Sequence, residues 1–213
     1  MSVFTLKILA CISMVIDHLG ASIYPDALWM RYVGRLSFPI FAFLLVEGFY
    51  HTKNVKKYLF RMGIFALISE VPFDLALKDG IVDLSSQNVY FTLFLGLLML
   101  YLIKWTDVLY LKILIIVSIM VTAQQIHCDY RYPGIWMILS FAALRDLPLF
   151  KNINIISANV RLFATKIQVA GALALIPIGL YNGKKGLSWK YFFYAFYPVH
   201  LLMIYFAREY LIW

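Results

Sequence analysis

Long apolar segments alternate with short polar connections along nearly the whole chain. A helix needs about 20 mainly apolar residues to cross a bilayer, and the pattern offers eight segments near that length. They cover residues 6–24, 34–51, 58–77, 88–105, 109–126, 132–146, 163–181 and 189–211. The pattern therefore predicts an all-α, polytopic membrane protein whose eight helices form one bundle, in a single domain over residues 1–213.

The composition supports this prediction. Hydrophobic residues make up 63% of the 213 positions and charged residues only 14%, whereas soluble domains carry about 25% charged residues. The net charge of +8 is dispersed among short loops, as in ordinary membrane topology, so we expect membrane lipid and no nucleic acid as a partner. Cys11 and Cys128 form no CxxC pair and no disulfide framework.

The distribution of Lys and Arg predicts the orientation. Eight spans place both termini on one side of the membrane, and that side holds the larger share of these residues. Cationic loops favour the cytoplasm, so we expect both termini there and the protein in the plasma membrane. In this eight-span topology the longest polar connection, Pro148 to Asn159, is a loop.

Two ionisable residues stand side by side inside the first apolar segment. A charge at the centre of a membrane helix costs roughly 2.5–3.5 kcal/mol on insertion scales, so such a group faces protein or water. Asp17 is expected to pair with Arg35, which leaves His18 free to exchange protons in a cavity. The alternative is a structural Asp–Arg pair that joins two helices, with His18 bonded to a carbonyl.

A second polar group follows the second segment. Glu47 and His51 are four residues apart and share a helix face. Thr52, Lys53 and Arg61 follow, so the sequence predicts a basic cytoplasmic mouth suited to the phosphates of a nucleotide or coenzyme A. Positive-inside topology alone is the alternative explanation for the lysines.

Two further segments combine a proline with an ionisable group. Pro72 is expected to kink the third helix beside Glu70, which could orient a histidine, bind a cation or pair with an arginine. His200 follows Pro198 inside the last segment. His200 is either a functional group or a packing residue whose hydrogen bonds are made within the protein.

The outer connections carry the remaining candidates. Asn88 and Thr92 open the fourth segment, and His127, Cys128 and Asp129 follow the fifth. Adjacent residues rarely chelate one ion and zinc-ligand spacing is absent, so no metal site is predicted. We expect the 127–130 loop to cap an outer cavity.

With these residues assembled, the sequence resembles the TraX family of integral membrane proteins. The motifs that carry the likeness run in order along nearly the whole chain: Lys7-Ile8-Leu9-Ala10 with Asp17-His18; Gly34-Arg35-Leu36-Ser37-Phe38-Pro39; Glu47-Gly48-Phe49 with His51-Thr52; Ser69-Glu70-Val71-Pro72-Phe73; Asn88 with Phe91-Thr92; Asp129-Tyr130; and Tyr197-Pro198-Val199-His200. The family is named for a conjugative-plasmid protein that acetylates pilin, and it is similar to the wider group of membrane acyltransferases. The resemblance therefore implies acetyl transfer from acetyl-CoA, with His18 as the leading catalytic candidate.

The resulting hypothesis assigns a role to each residue. Acetyl-CoA would bind from the cytoplasm and the acceptor from outside. The acceptor is a hydroxyl or amine on a peptide, a glycan or a lipid-linked molecule. The expected catalytic residues are His18, Asp17, Arg35, Glu70 and His200. The expected donor-binding residues are Glu47, His51, Thr52, Lys53 and Arg61, and the expected acceptor-binding residues are Asn88, Thr92, Asp129 and Tyr197. The alternatives are a proton-coupled small-molecule transporter and a non-enzymatic membrane assembly protein.

Overall fold

The computed structural model describes residues 1–78, 80–163 and 165–211, and over these residues the fold is all-α, as predicted. Its helices are α1 (Val3–Ser22), α2 (Leu28–Gly34), α3 (Ser37–His51), α4 (Val55–Ile68), α5 (Glu70–Leu77), α6 (Val89–Ile103), α7 (Leu109–Gln125), α8 (Arg131–Ala143), α9 (Pro148–Arg161), α10 (Leu175–Gly179) and α11 (Lys190–Leu211), with a 3₁₀ segment over Lys166–Ala174 before α10. Within the described residues no β-strand forms, and the one backbone bridge joins Gln87 to Cys128.

Local sequence signals fix several helix ends. Asn54 and Asn88 are N-caps: their side-chain oxygens accept hydrogen bonds from the backbone N–H groups of Lys57 and Tyr90, at 2.9 and 3.0 Å. Pro72 cannot donate to the carbonyl one turn earlier, and the helix breaks there into α4 and α5 at Ser69. The interruption that the sequence predicts in the 58–77 segment is thus confirmed as a break between two helices.

The first and last long helices run side by side in the same direction. Phe4 packs against Phe193 near their starts, with ring centroids 5.9 Å apart. Near their ends, the Arg208 guanidinium lies 3.5 Å from the Ser22 hydroxyl. We call the two ends of the bundle the Met1 end and the Arg208 end.

The connection predicted as a loop, Pro148 to Asn159, instead forms most of α9. This helix starts just after Arg145, whose ion pair with Glu47 lies at the Met1 end. Toward its end, Asn159 packs beside Gly171, which approaches the Arg35 carbonyl in the other half of the bundle. The additional helix places Met1 and Arg208 at opposite ends of the bundle, whereas the eight predicted spans would place both termini at the same end.

The polarity of α9 explains why the sequence pattern misses it. Asn154 accepts hydrogen bonds from Trp136 Nε1 and Ser140 Oγ at 3.0 and 2.8 Å, and Asn159 is buried against Gln168. The exposed face of the helix is largely apolar, with Leu149, Phe150, Ile153, Ile156 and Val160 beside the polar Asn152 and Ser157. Asn154 and Asn159 therefore face the protein while large apolar side chains face outward, the reverse of a water-exposed amphipathic helix.

By length and composition, two continuous helical segments of the described residues suffice to cross a bilayer: Val3–Ser22, and Leu28–His51, which joins α2 and α3. The apolar helices Val89–Ile103 and Leu109–Gln125 are shorter, as is Lys166–Gly179. The predicted count of eight spans is therefore not confirmed by helix length. Residue 164, inside the predicted segment 163–181, lies outside the described residues.

The core lies where α3, α6 and α8 pack together. Phe38, Ile40, Leu97 and Ile138 are each at most 1% exposed. Gly96 allows the closest approach, because a Cβ there would overlap the Ile138 side chain. This packed centre supports the polar residues that α1 and α11 carry beside it.

Candidate functional site

Asp17 forms an ion-pair cluster with two arginines from the α2 region. Arg35 Nη2 lies 2.6 Å from Oδ1 and 2.7 Å from Oδ2 of Asp17, and Arg31 Nη1 lies 3.0 Å from Oδ2. Gly34 makes this approach possible, because a Cβ at that position would overlap the Asp17 carboxylate. The predicted Asp17–Arg35 pair is confirmed, and it anchors α1 to the turn before α3.

His18 is hydrogen-bonded to His200, 182 positions away, with His18 Nδ1 and His200 Nε2 2.8 Å apart. The other nitrogen of His200, Nδ1, lies 2.8 Å from the Phe196 carbonyl oxygen. Because a carbonyl only accepts, His200 Nδ1 carries the proton, and the Nε2 of a neutral His200 is the acceptor. His18 Nδ1–H then donates to it, which leaves His18 Nε2 as an unprotonated base.

His18 Nε2 makes no hydrogen bond within the described part of the chain. His18 lines a cavity of about 260 Å³, which we call the histidine cavity. Its other polar lining residues are Asp17, Arg31, Arg35, Lys78, Ser37, Ser86 and Asp129. The Asp129 carboxylate has no hydrogen bond or ion pair to any described residue, so this cavity offers a base, cations and an available carboxylate.

A larger cavity of about 470 Å³ lies toward the Met1 end, and we call it the basic cavity. Lys7, Arg61, Lys185 and Lys190 line it. Its one acidic lining residue in the described chain, Glu47, is neutralised by Arg145 at 3.0 Å. The cavity thus carries an excess of positive charge, which favours an anionic ligand.

The Arg61 side chain indicates that the basic cavity binds a ligand. Its Nε is buried without a hydrogen-bond partner, and its guanidinium stands 5.9 Å from the ring centroids of both Tyr58 and Tyr194. A buried donor on a cation is costly to leave unpaired. A phosphate oxygen is the type of acceptor that would satisfy it.

The two cavities meet. Met14, Phe41 and Val89 line both of them. Tyr197 lines the basic cavity, and its ring centroid lies 6.1 Å from that of His18. The basic cavity therefore extends to within one side chain of the histidine pair.

One known protein family covers nearly the whole chain. The model of the TraX family, described as "TraX protein", matches residues 2–208. The chain belongs to the TraX family. The resemblance seen in the sequence motifs is thereby confirmed.

Individual relatives of this TraX family member agree with the assignment. A probable fimbrial assembly protein FimC (serogroup H1) of Dichelobacter nodosus is 31% identical over 238 aligned residues, covering 99% of this chain and 97% of the relative. An uncharacterized protein of Rickettsia prowazekii (strain Madrid E) is 31% identical over 91 residues, covering 43% of this chain and 33% of the relative. No solved structure matches. Together with its two bilayer-length apolar helices, the family makes this chain a membrane protein.

The TraX fold brings together many of the residues predicted for the site. Asp17, His18, Arg35 and Asp129 line the histidine cavity. Glu47, His51, Thr52, Arg61 and Tyr197 line the basic cavity. The expected division between a histidine site and a basic site therefore exists in the fold, although Glu47 is engaged by Arg145.

Other predicted residues lie elsewhere. Glu70 bonds to Asn88, which also donates to the Ala66 carbonyl at 2.8 Å. The two residues thus fasten α5 to the start of α6, and neither lines either cavity. The expectation that they line the site is wrong, as is the alternative pairing of Glu70 with an arginine, because the nearest available donor is the amide of Asn88.

Three more expectations require correction. Thr92 is fully buried, and its hydroxyl accepts from the Tyr130 backbone N–H at 3.4 Å, so it holds the 126–130 loop. Lys53 does not line the basic cavity, since it lies in the exposed turn after α3. His200 lines neither the histidine cavity nor the basic cavity: it lies behind His18 and is in contact with it.

Several residues of the two cavities are not predicted from the sequence. Arg31 joins the Asp17 cluster, and Lys78 lines the histidine cavity; Lys7, Lys185 and Lys190 line the basic cavity. Arg31 carries a usable signal, because it lies four residues before Arg35 on one helical face. The lysines have none, since lysines at segment ends look the same whether they set topology or line a site.

Proposed function

We propose that this TraX family member is an integral membrane acetyltransferase. It moves an acetyl group from acetyl-CoA in the basic cavity to a hydroxyl or amine in the histidine cavity. The observation that carries the proposal is the meeting of these two cavities beside His18, a histidine whose hydrogen-bond chain leaves Nε2 free to take a proton.

The charge distribution supports a cytoplasmic basic cavity. Loops and helix ends rich in Lys and Arg favour the cytoplasmic side. At the Met1 end these residues are Lys7, Lys53, Lys56, Lys57, Arg61, Lys104, Lys112, Arg145, Lys151, Lys184, Lys185 and Lys190. At the Arg208 end they are Arg31, Arg35, Lys78, Arg131, Arg161, Lys166 and Arg208. The Met1 end is then cytoplasmic and the Arg208 end faces outward.

The lipid-facing surface supports a multi-pass topology. The outer faces of α7 and α9 are largely apolar, with Leu109, Leu114 and Leu149 each at least 60% exposed. Large continuous apolar surfaces are unfavourable in water and normal against acyl chains. The shorter helices would cross the membrane as parts of the bundle, at the same depth as α1 and α3.

The basic cavity suits the donor. Acetyl-CoA carries phosphate groups at one end and a thioester at the other. Lys7, Arg61 and Lys185 would hold phosphates near the cytoplasmic end. The apolar inner wall, which includes Leu44 and Leu93, would accept the uncharged pantetheine arm and direct the thioester toward His18.

The proposed reaction is a direct transfer. His18 Nε2 removes the proton from the acceptor O–H or N–H as the acceptor atom attacks the thioester carbonyl carbon. The carbon–sulfur bond breaks, and the coenzyme A sulfur leaves and takes the proton back from His18. The products are the acetylated acceptor and coenzyme A. His200 acts as a positioning residue that keeps the His18 proton on Nδ1.

The FimC relative gives the first acceptor to test and also the competing function. Its name assigns it to fimbrial assembly, so a fimbrial subunit is the first acceptor to offer. A membrane assembly protein without enzymatic activity is the second candidate function, and the same name favours it. The two candidates differ in whether acetyl-CoA is consumed.

The test uses the full chain in nanodiscs with acetyl-CoA labelled in the acetyl group. Cell-surface extracts and purified pilin are supplied as acceptors, and label transfer is followed. Transfer by the wild type that is lost in His18→Gln supports the proposal. Equal transfer by both, or no consumption of acetyl-CoA with any acceptor, overturns it. His127→Asn is the matched control, because His127 lies in an exposed turn outside both cavities.

A further inference from the structure

Three apolar side chains form the partition between the two cavities. Met14 comes from α1, Phe41 from α3 and Val89 from the first position of α6. Met14 is 7% exposed, whereas Phe41 and Val89 are partly exposed, so Met14 is the most enclosed of the three side chains. Any group that passes from the basic cavity toward the histidine cavity meets these three residues.

Met14 lies on α1 close to His18, the proposed general base. It precedes His18 by four residues on α1, so the two side chains share one helix face, with Met14 one turn closer to the Met1 end. The ring of Tyr197 closes the same region from α11, with its centroid 6.1 Å from that of His18. The carbon chain of a bound acyl thioester would lie at this position while its carbonyl is beside His18.

We infer that Met14, Phe41 and Val89 determine the length of the acyl group that the protein transfers. This inference rests on the proposed acyltransferase function. These three side chains stand between the two cavities, so a methyl group is accommodated there and each further methylene must displace one of them. A donor with a two-carbon acyl group is favoured, and four-carbon and longer acyl groups are rejected.

The expected discrimination follows from the behaviour of apolar pockets. One additional methylene in such a pocket changes kcat/KM by about 10–200-fold. Replacing Met14 by Ala removes three heavy atoms, which makes room for the two extra methylenes of a butyryl group. The ratio of kcat/KM for butyryl-CoA to that for acetyl-CoA should rise at least about 10-fold in Met14→Ala.

The experiment measures kcat/KM with acetyl-CoA, butyryl-CoA and hexanoyl-CoA for the wild type and four variants. Met14→Ala and Val89→Ala enlarge the partition, and Val89→Ala does so with a smaller loss of packing. Met14→Leu nearly preserves the volume and should keep the wild-type profile. Leu45→Ala is the matched control, because Leu45 is 2% exposed and lines the basic cavity outside the partition.

The outcomes separate the inference from the proposed function. A raised butyryl-to-acetyl ratio in Met14→Ala or Val89→Ala, with no rise in Met14→Leu and Leu45→Ala, supports the inference. Unchanged ratios in both enlarged variants, or an equal rise in Leu45→Ala, overturn the inference and leave acetyl transfer intact. A wild type that transfers none of the three acyl groups overturns the proposed function itself.

Discussion

His18 Nδ1 lies 2.8 Å from His200 Nε2, so the first and last long helices of the chain share a hydrogen bond between two imidazoles. The partner of the second nitrogen of His200 is the Phe196 carbonyl, and this fixes the direction of every proton in the chain of hydrogen bonds. Two residues from opposite ends of the sequence therefore present a single basic nitrogen to the histidine cavity.

Replacing His18 removes that nitrogen. General base catalysis contributes about 10²–10⁴-fold to rates, so acetyl transfer by His18→Gln should fall by that factor. The measurement is the initial rate of label transfer from acetyl-CoA at saturating donor. The far-UV circular dichroism and gel-filtration profile of the variant should match those of the wild type. A loss of less than about 10-fold in a folded variant would assign the proton transfer to another group.

Replacing His200 tests its positioning role. His200→Leu removes the acceptor for His18 Nδ1–H, so His18 can carry its proton on either nitrogen and activity should fall by less than in His18→Gln. In His200→Gln the side-chain oxygen can accept the same hydrogen bond and restore part of the rate. The full pH–rate profiles of both variants are the measurement. A purely structural role predicts a lower rate with an unshifted profile in His200→Leu and no rescue by Gln.

The Asp17 ion-pair cluster should contribute strongly to stability. Removing one partner of a buried pair leaves a charge uncompensated and costs about 3–5 kcal/mol. Asp17→Asn should lower the free energy of unfolding by that amount, and adding Arg35→Gln should recover part of the loss. Unfolding in mixed micelles as the denaturing detergent increases gives both values. The control is Glu209→Gln, which breaks the exposed Arg208–Glu209 contact at 3.2 Å and should cost less than about 1 kcal/mol.

Gly34 is required for the close approach of Asp17. A methyl group at this position would overlap the carboxylate, so Gly34→Ala should displace Asp17 and destabilise the protein by about 1–3 kcal/mol. Gly179→Ala is the matched control, because nothing lies within 4 Å of a Cβ there. Thermal unfolding in detergent compares the two variants. Equal melting temperatures would show that the backbone before α3 adjusts freely.

Arg61 should act on donor binding. Arg61→Gln removes a cation whose Nε has no partner in the described protein, and KM for acetyl-CoA should rise with kcat little changed. The rise should shrink as salt concentration increases, because screening weakens the wild-type interaction. Lys56→Gln is the control, since Lys56 is exposed and lies outside both cavities. An equal KM effect in both variants would reduce the role of Arg61 to general surface charge.

The sequence by itself determined the all-α class, the break beside Pro72 and the burial of Asp17 with Arg35. Each of these follows from a local rule: hydropathy over one segment, the missing N–H of proline, or the cost of an unpaired charge in an apolar helix. The division into a histidine site and a basic site was also predictable. This division follows from the position of each polar residue along its own apolar segment.

The tertiary structure alone decided the remaining features. It paired His18 with His200, joined Glu70 to Asn88, and selected Lys7, Lys185 and Lys190 from many similar lysines for the basic cavity. It also turned the polar connection after Arg145 into α9, in which Asn154 and Asn159 face the protein and several large apolar side chains face outward. Hydropathy ranks each residue by its preference for water. It does not tell whether a polar side chain is hydrogen-bonded to water or to another side chain. That choice depends on which helices pack together, and the contacts responsible connect residues far apart in the chain.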